Sequence, residues 1–116
     1  MMSDEIQVDV QYIDDKTAII HLEGDVTTFS EKDINDAYKA ASDNDNSNII
    51  FNFRENDYIN SAGIAILIGV VTEARKQNQR LIMAIPSSHF QKIFRMVGLT
   101  QYADIYSSLE EAKAQI

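Results

Sequence analysis

Ile49-Ile50-Phe51-Asn52-Phe53, then Ser61-Ala62-Gly63-Ile64-Ala65-Ile66-Leu67-Ile68-Gly69-Val70-Val71, then Leu81-Ile82-Met83-Ala84-Ile85 are the three runs that decide the fold. The first and last are short and nearly continuous in apolar residues, the pattern of strands buried on both faces of a parallel sheet. The middle run opens a helix that continues to about Gln77. Pro86, the only proline, stops the strand before it.

Working outward, Ile6, Val8 and Val10 alternate with polar residues, as in a half-buried strand. Asp14-Asp15-Lys16 reads as a turn and Thr17–Glu23 as the returning strand of a hairpin, closed by Gly24-Asp25. Ser30-x-x-Asp33 opens a helix with Ile34, Ala37, Tyr38 and Ala41 on one face, and Asp43–Asn48 ends it with loop chemistry. Beyond Pro86, Ser88-x-x-Gln91 caps a helix whose apolar residues are Phe90, Ile93, Phe94 and Val97, with Gly98 suited to its C′ position. Ile105-Tyr106 forms a last short strand, and Ser107-x-x-Glu110 starts a helix ending near Gln115. The order β-β-α-β-α-β-α-β-α predicts an α/β domain filling residues 1–116. Its sheet is mixed and mostly parallel, with four to five strands, an N-terminal antiparallel hairpin and about four helices.

With 116 residues, 45% of them apolar, the chain builds a core without staples, and it has no cysteine for disulfide, zinc or thiol chemistry. A formal net charge of −8 disfavours nucleic acid and anionic membranes as partners. Met1–Glu5 lacks the basic and apolar regions of a signal peptide, and Ile64–Val71 falls far short of the ~20 residues of a membrane span, so the cytoplasm is expected. Asp43-Asn44-Asp45-Asn46-Ser47 begins like a calcium loop, but Asn48 and Arg54 stand where glycine and glutamate are needed, which makes it a solvated turn. His21 and His89 have no metal-ligand spacing, and no glycine cluster cradles phosphate. Nothing pairs a nucleophile with a base, so neither catalysis nor a metal or cofactor is expected.

The signal lies in the Ser61 helix, whose first turns are apolar almost all round. Ile64, Leu67, Ile68 and Val71 have the spacing to face the sheet, leaving Ala62, Ala65, Ile66, Gly69 and Val70 opposite. Such a helix must be covered, either by its own neighbours or by a partner. The other helices carry Asp33, Gln91 or Glu110 three residues after their caps, whereas Ser61-Ala62-Gly63-Ile64 has no acid. An anion there, such as a phosphate on Ser61, would meet free N–H groups and the positive end of the helix. Serine is also a preferred cap for backbone reasons alone.

The stretch Asn52–Leu67 resembles the signature of STAS domains, in particular those of bacterial anti-sigma factor antagonists. Leu22-Glu23-Gly24-Asp25-Val26, Phe94-Arg95-Met96-Val97-Gly98-Leu99 and Tyr106–Ala112 resemble further family segments in register, so the similarity spans about residues 5–115. The resemblance implies a switch in which an anti-sigma factor that is itself a serine kinase phosphorylates Ser61. The unmodified form binds that factor and frees a sigma factor, and a phosphatase resets the modified form. It also implies a docking surface comprising Asp25, Thr27, Thr28, Phe29, Asn60, Ser61, Ala62 and Ala65, on a monomer or weak homodimer. Asn60, Ala62 and Thr27 stand where family members often have Asp, Ser or Thr, and Asp. These departures motivate two alternatives, a non-switching STAS scaffold in a signalling or transport complex and a nucleotide- or small-ligand-binding STAS module.

Overall fold

A computed structural model of the chain describes residues 6–44, 46–55 and 57–116. Strands β1 (Gln7–Asp14) and β2 (Thr17–Glu23) form an antiparallel hairpin, with the Lys16 N–H donating to Asp14 Oδ1 at 2.8 Å in the turn. The chain then alternates through α1 (Glu31–Asp43), β3 (Asn48–Asn52), α2 (Ser61–Lys76), β4 (Arg80–Ala84), α3 (Ser88–Met96), β5 (Asp104–Tyr106) and α4 (Leu109–Lys113). The strands lie in the order β1-β2-β3-β4-β5, and every pair after the hairpin is parallel. The predicted element order and mixed sheet are thus present. Two three-residue 3-10 turns, Thr28–Ser30 and Leu99–Gln101, are additional and too short to leave a periodic signal.

Each crossover steps to the next strand in the same direction, so right-handed connections place α1, α2 and α3 on one face. There Ile20, Ile34, Phe51, Leu67, Met83 and Phe94 share the main core. On the other face Ala112 of α4 closes over Ile19, Ile50, Ile82 and Ala84. The chain enters α2 from the C-terminal end of β3, so this topology gathers the β2 and β3 exit loops and Ser61 at one pole of the sheet.

The α1 face of Ile34, Ala37, Tyr38 and Ala41 is buried as expected. In α2 the buried residues are Gly63, Leu67, Val70, Val71 and Ala74, so Val70 points inward and Ile68 is 40% exposed, the reverse of the sequence assignment. The helix is rotated because Gly63 abuts the loop after β2, and the i+4, i+7, i+8 and i+11 positions follow it inward. Val97 also departs from expectation and is exposed, because α3 ends at Met96 and left-handed Gly98 (φ 83°) turns the chain away.

The caps of α1, α3 and α4 differ from expectation, the first in its bonding and the other two in position. Ser30 makes no capping bond to α1; its buried hydroxyl donates to the Asp25 carbonyl while Thr27 caps the preceding 3-10 turn. Ser87 rather than Ser88 caps α3, and Ser108 rather than Ser107 caps α4, one residue off in each case. The calcium-like stretch is not wholly solvated either, since Asn46 is buried and donates from Nδ2 to the Ala41 carbonyl. Asp45, Asn56 and the Met1–Glu5 segment read above lie outside the described residues.

The rotation of α2 is measurable by urea unfolding. Leu67→Ala costs roughly 2–5 kcal/mol, as for a buried leucine, and Ile68→Ala less than about 1 kcal/mol. The opposite ranking would return the helix to the orientation read from its sequence.

Candidate docking site at the start of α2

Left-handed Gly24 (φ 123°) turns the chain out of β2. The next residues run beside the loop that leaves β3. Val26 forms an isolated parallel bridge with Ile59, its N–H donating to the Tyr58 carbonyl at 2.8 Å, while the Asn60 N–H donates to the Val26 carbonyl at 3.1 Å. Two carboxylates pin the same pair of loops. Asp25 Oδ1 accepts from the Tyr58 N–H and Asp57 Oδ2 from the Gly24 N–H, each at 2.8 Å. Arg54 in turn holds Asp57 with a two-pronged pair of 2.9 Å bonds from Nε and a terminal guanidinium nitrogen. That contact, ahead of the opposing effect of burial, keeps the Asp57 carboxyl below its ordinary value of 3.8.

The first turn of α2 locks onto this platform. A Cβ at Gly63 would overlap the Val26 carbonyl oxygen and stand 2.8 Å from the carbonyl carbon, so only glycine admits the approach. Asn60, in extended conformation, is the N-cap; its Oδ1 accepts from the Gly63 N–H at 2.8 Å. This corrects the sequence reading, which took the tip as bare and Ser61 as its cap. The cap contributes roughly 1 kcal/mol to the helix. Because Asn60 occupies that role, its side-chain oxygen serves Gly63 rather than orienting the Ser61 hydroxyl. Ser61 is instead the first helical residue and is exposed, and the first turn contains no acid.

Thr28, Ala62 and Ala65 line one shallow groove of about 250 Å³ together with Ile66 and Glu31. Phe29 projects nearby in sequence with 77% of its surface exposed. Asp25 and Thr27 also hold the loop itself. Asp25 holds Tyr58, and Thr27 Oγ1 accepts from the Phe29 N–H at 3.2 Å. Sequence reasoning missed Gly63, Arg54, Asp57 and Glu31 as parts of the site. The Arg54-x-x-Asp57 spacing was a usable hint of a local ion pair, whereas nothing in the sequence tells which backbone Gly63 would meet.

The fold and this pole define a small α/β module with a loop-and-helix face around the start of α2. The chain belongs to the STAS domain family, whose model matches residues 7–112. Its fold is shared by the Bacillus cell fate determinant SpoIIAA in its phosphorylated form, at 23% identity with a TM-score of 0.71 over 94% of this chain and 98% of that one. SpoIIAA in its unphosphorylated form, described as an anti-sigma factor antagonist, gives 0.73 at 23% identity over 94% and 95% of the two chains. An anti-sigma factor antagonist from Mycobacterium paratuberculosis gives 0.78 at 15% identity over 99% and 97%. At these identities the likeness is one of fold. No helix among the described residues is long and apolar enough to cross a membrane.

The Asp57 clamp makes the site acid-sensitive in a defined direction. Its folded carboxyl titrates below 3.8, so its stabilisation is full above that value and is lost as pH falls through the lower folded one. Amide exchange at Gly24, corrected for intrinsic rate, therefore shows declining protection over that acidic window. In Asp57→Asn the protection is reduced at pH 6 and lacks this step. An identical pH profile in both proteins would remove Asp57 as the clamp.

Proposed function

We propose that this protein is an anti-sigma factor antagonist, docking an anti-sigma factor of the serine-kinase type through the loop Asp25–Ser30 and the start of α2. Ser61 is the acceptor of a phosphoryl group from ATP, and a phosphatase removes it. The observation that carries the proposal is the position of Ser61, exposed on the first turn of α2, where Ala62 and Ala65 share a groove with Thr28. Support comes also from shared fold with SpoIIAA, a protein with phosphorylated and unphosphorylated forms.

The physics of the switch is local. A phosphoryl group adds about −1.5 to −2 charges. An acid-free first turn of α2 tolerates them in the free protein, by about 0.3–1 kcal/mol per favourable charge at a helix N-terminus. A partner pressed onto Ala62 and Ala65 must strip water from the phosphate, and Glu31 in the same groove adds charge of the same sign. Docking is therefore favoured in the unmodified form and opposed in the modified one. The fold itself need not change.

With a cognate kinase-type anti-sigma factor and ATP, mass spectrometry is expected to find one phosphate, on Ser61. Ser61→Ala stays unmodified and bound, and Ser61→Asp binds at least tenfold more weakly by calorimetry. Equal binding by Ser61→Asp, with Ser61 unmodified, would leave the non-switching scaffold. Saturable ATP or GTP binding by the isolated protein would favour the ligand-binding module.

A further inference from the structure

The parallel strands leave the sheet at the Ser61 pole, so the start of α3 stands there beside the β3 exit loop. Tyr58 belongs to that loop, three residues before Ser61, and 57% of its surface is exposed. Its backbone is held on both sides. The N–H donates to Asp25 Oδ1 and the carbonyl accepts from the Val26 N–H, each at 2.8 Å. The next residue, Ile59, is buried and bridged to Val26. The ring is supported as well. It meets buried Phe90 of α3 edge to face, with centroids 5.8 Å apart and planes at 70°, and the His89 ring lies 5.0 Å from Phe90 in turn. Ser87, the cap of α3, accepts from the Phe90 N–H at 3.3 Å and fixes that support.

An aromatic ring that is exposed yet already fixed loses little freedom when a partner covers it. Tyrosine is also among the residue types that dominate binding energy at interfaces. Two other exposed tyrosines stand differently. Tyr12 pairs with Ala18 near the hairpin turn, far from this pole, and Tyr102 already has the Arg75 guanidinium 4.3 Å above its ring.

The surroundings of Tyr58 are acidic. Residues 23–31 and 53–61 contain Glu23, Asp25, Glu31, Glu55 and Asp57 against a single base, Arg54. That base is taken up by Asp57 at 2.9 Å and Glu23 at 3.7 Å, and Lys32, next along the chain, is paired with Asp36. An acidic partner surface would be repelled here, whereas basic side chains around an apolar pocket complement both the charge and the ring.

We propose that Tyr58 is the anchor of the docking face, seated in an apolar pocket of the anti-sigma factor whose rim carries Arg or Lys. The inference rests on the docking role proposed above. It adds a contact outside the groove that Thr28, Ala62 and Ala65 line, on the side of the pole where α3 begins.

Calorimetry with a cognate kinase-type anti-sigma factor is the test, with amide exchange at Val26 and Asn60 reporting on the loop frame. Tyr58→Ala is expected to bind at least roughly thirtyfold more weakly. Both amides keep their protection in it, because their bonds run through backbone atoms. Tyr58→Phe retains the ring and stays within about threefold of the wild type, as does Tyr12→Ala at an exposed tyrosine away from the pole. Raising the salt from about 0.15 M to about 0.5 M weakens wild-type binding. Tyr58→Ala binding as tightly as the wild type would overturn the anchor. So would weaker binding that comes with lost protection at Val26, which would make Tyr58 a part of the frame alone. An affinity indifferent to salt would overturn the basic rim. A wild type that does not bind removes the docking role and this inference with it, whereas an indifferent Tyr58→Ala removes this inference alone.

Discussion

The close approach of Gly63 to the Val26 carbonyl is the constraint on which the functional pole depends. Backbone meets backbone there, and the contact decides three things together. It fixes the rotation of α2, so that Leu67, Val70, Val71 and Ala74 go inward. It holds the β2 exit loop against the β3 exit loop, where Val26 and Asn60 exchange hydrogen bonds with each other's strand of chain. It also puts Asn60 in position to cap Gly63, leaving Ser61 on the outside. A methyl group at residue 63 would disturb all three.

Around that contact, an ion pair and backbone amides add to the apolar packing of Val26 and Ile59. Asp25 and Asp57 each accept one backbone N–H from the opposing loop, and Arg54 secures Asp57. These are charge-assisted bonds to backbone donors, stronger than neutral ones and specific in direction. The result is a rigid frame beneath a face of small and aromatic side chains. A rigid frame suits docking, because ordering costs are met during folding and not at association. In the proposed switch, one phosphoryl group would control binding without moving the fold, because the frame carries the hydroxyl and the partner carries the desolvation.

How much of this was legible in the sequence follows from the range of the forces involved. The order of elements and the parallel sheet were legible, because buried strands such as Ile49–Phe51 and Leu81–Ala84 are continuous apolar runs that nothing local contradicts. Ser61 is exposed and Thr28 lines one groove with Ala62 and Ala65, a grouping that depends on the loop after β2 meeting α2. The rotation of α2 was not legible, because a segment apolar on every side gives no preferred face until a neighbour is known. Caps slipped by one residue at Ser87, Ser108 and Asn60, since adjacent Ser and Asn residues are nearly equivalent as caps and tertiary contacts choose between them. Asp25 and Thr27 also hold the loop through the Tyr58 and Phe29 backbone amides, a role that no local sequence signal carries.

Native-state hydrogen exchange at the Val26 amide measures the Gly63 contact most directly. In the wild type this amide, bonded to the Tyr58 carbonyl, is expected to be protected to nearly the same degree as the Asn60 amide that faces it. In Gly63→Ala both are expected to lose protection together by at least tenfold, while the Ile50 amide in the central sheet keeps its own. Fast exchange at Val26 in the wild type, or unchanged protection in the alanine variant, would contradict the idea that this one backbone contact organises the pole.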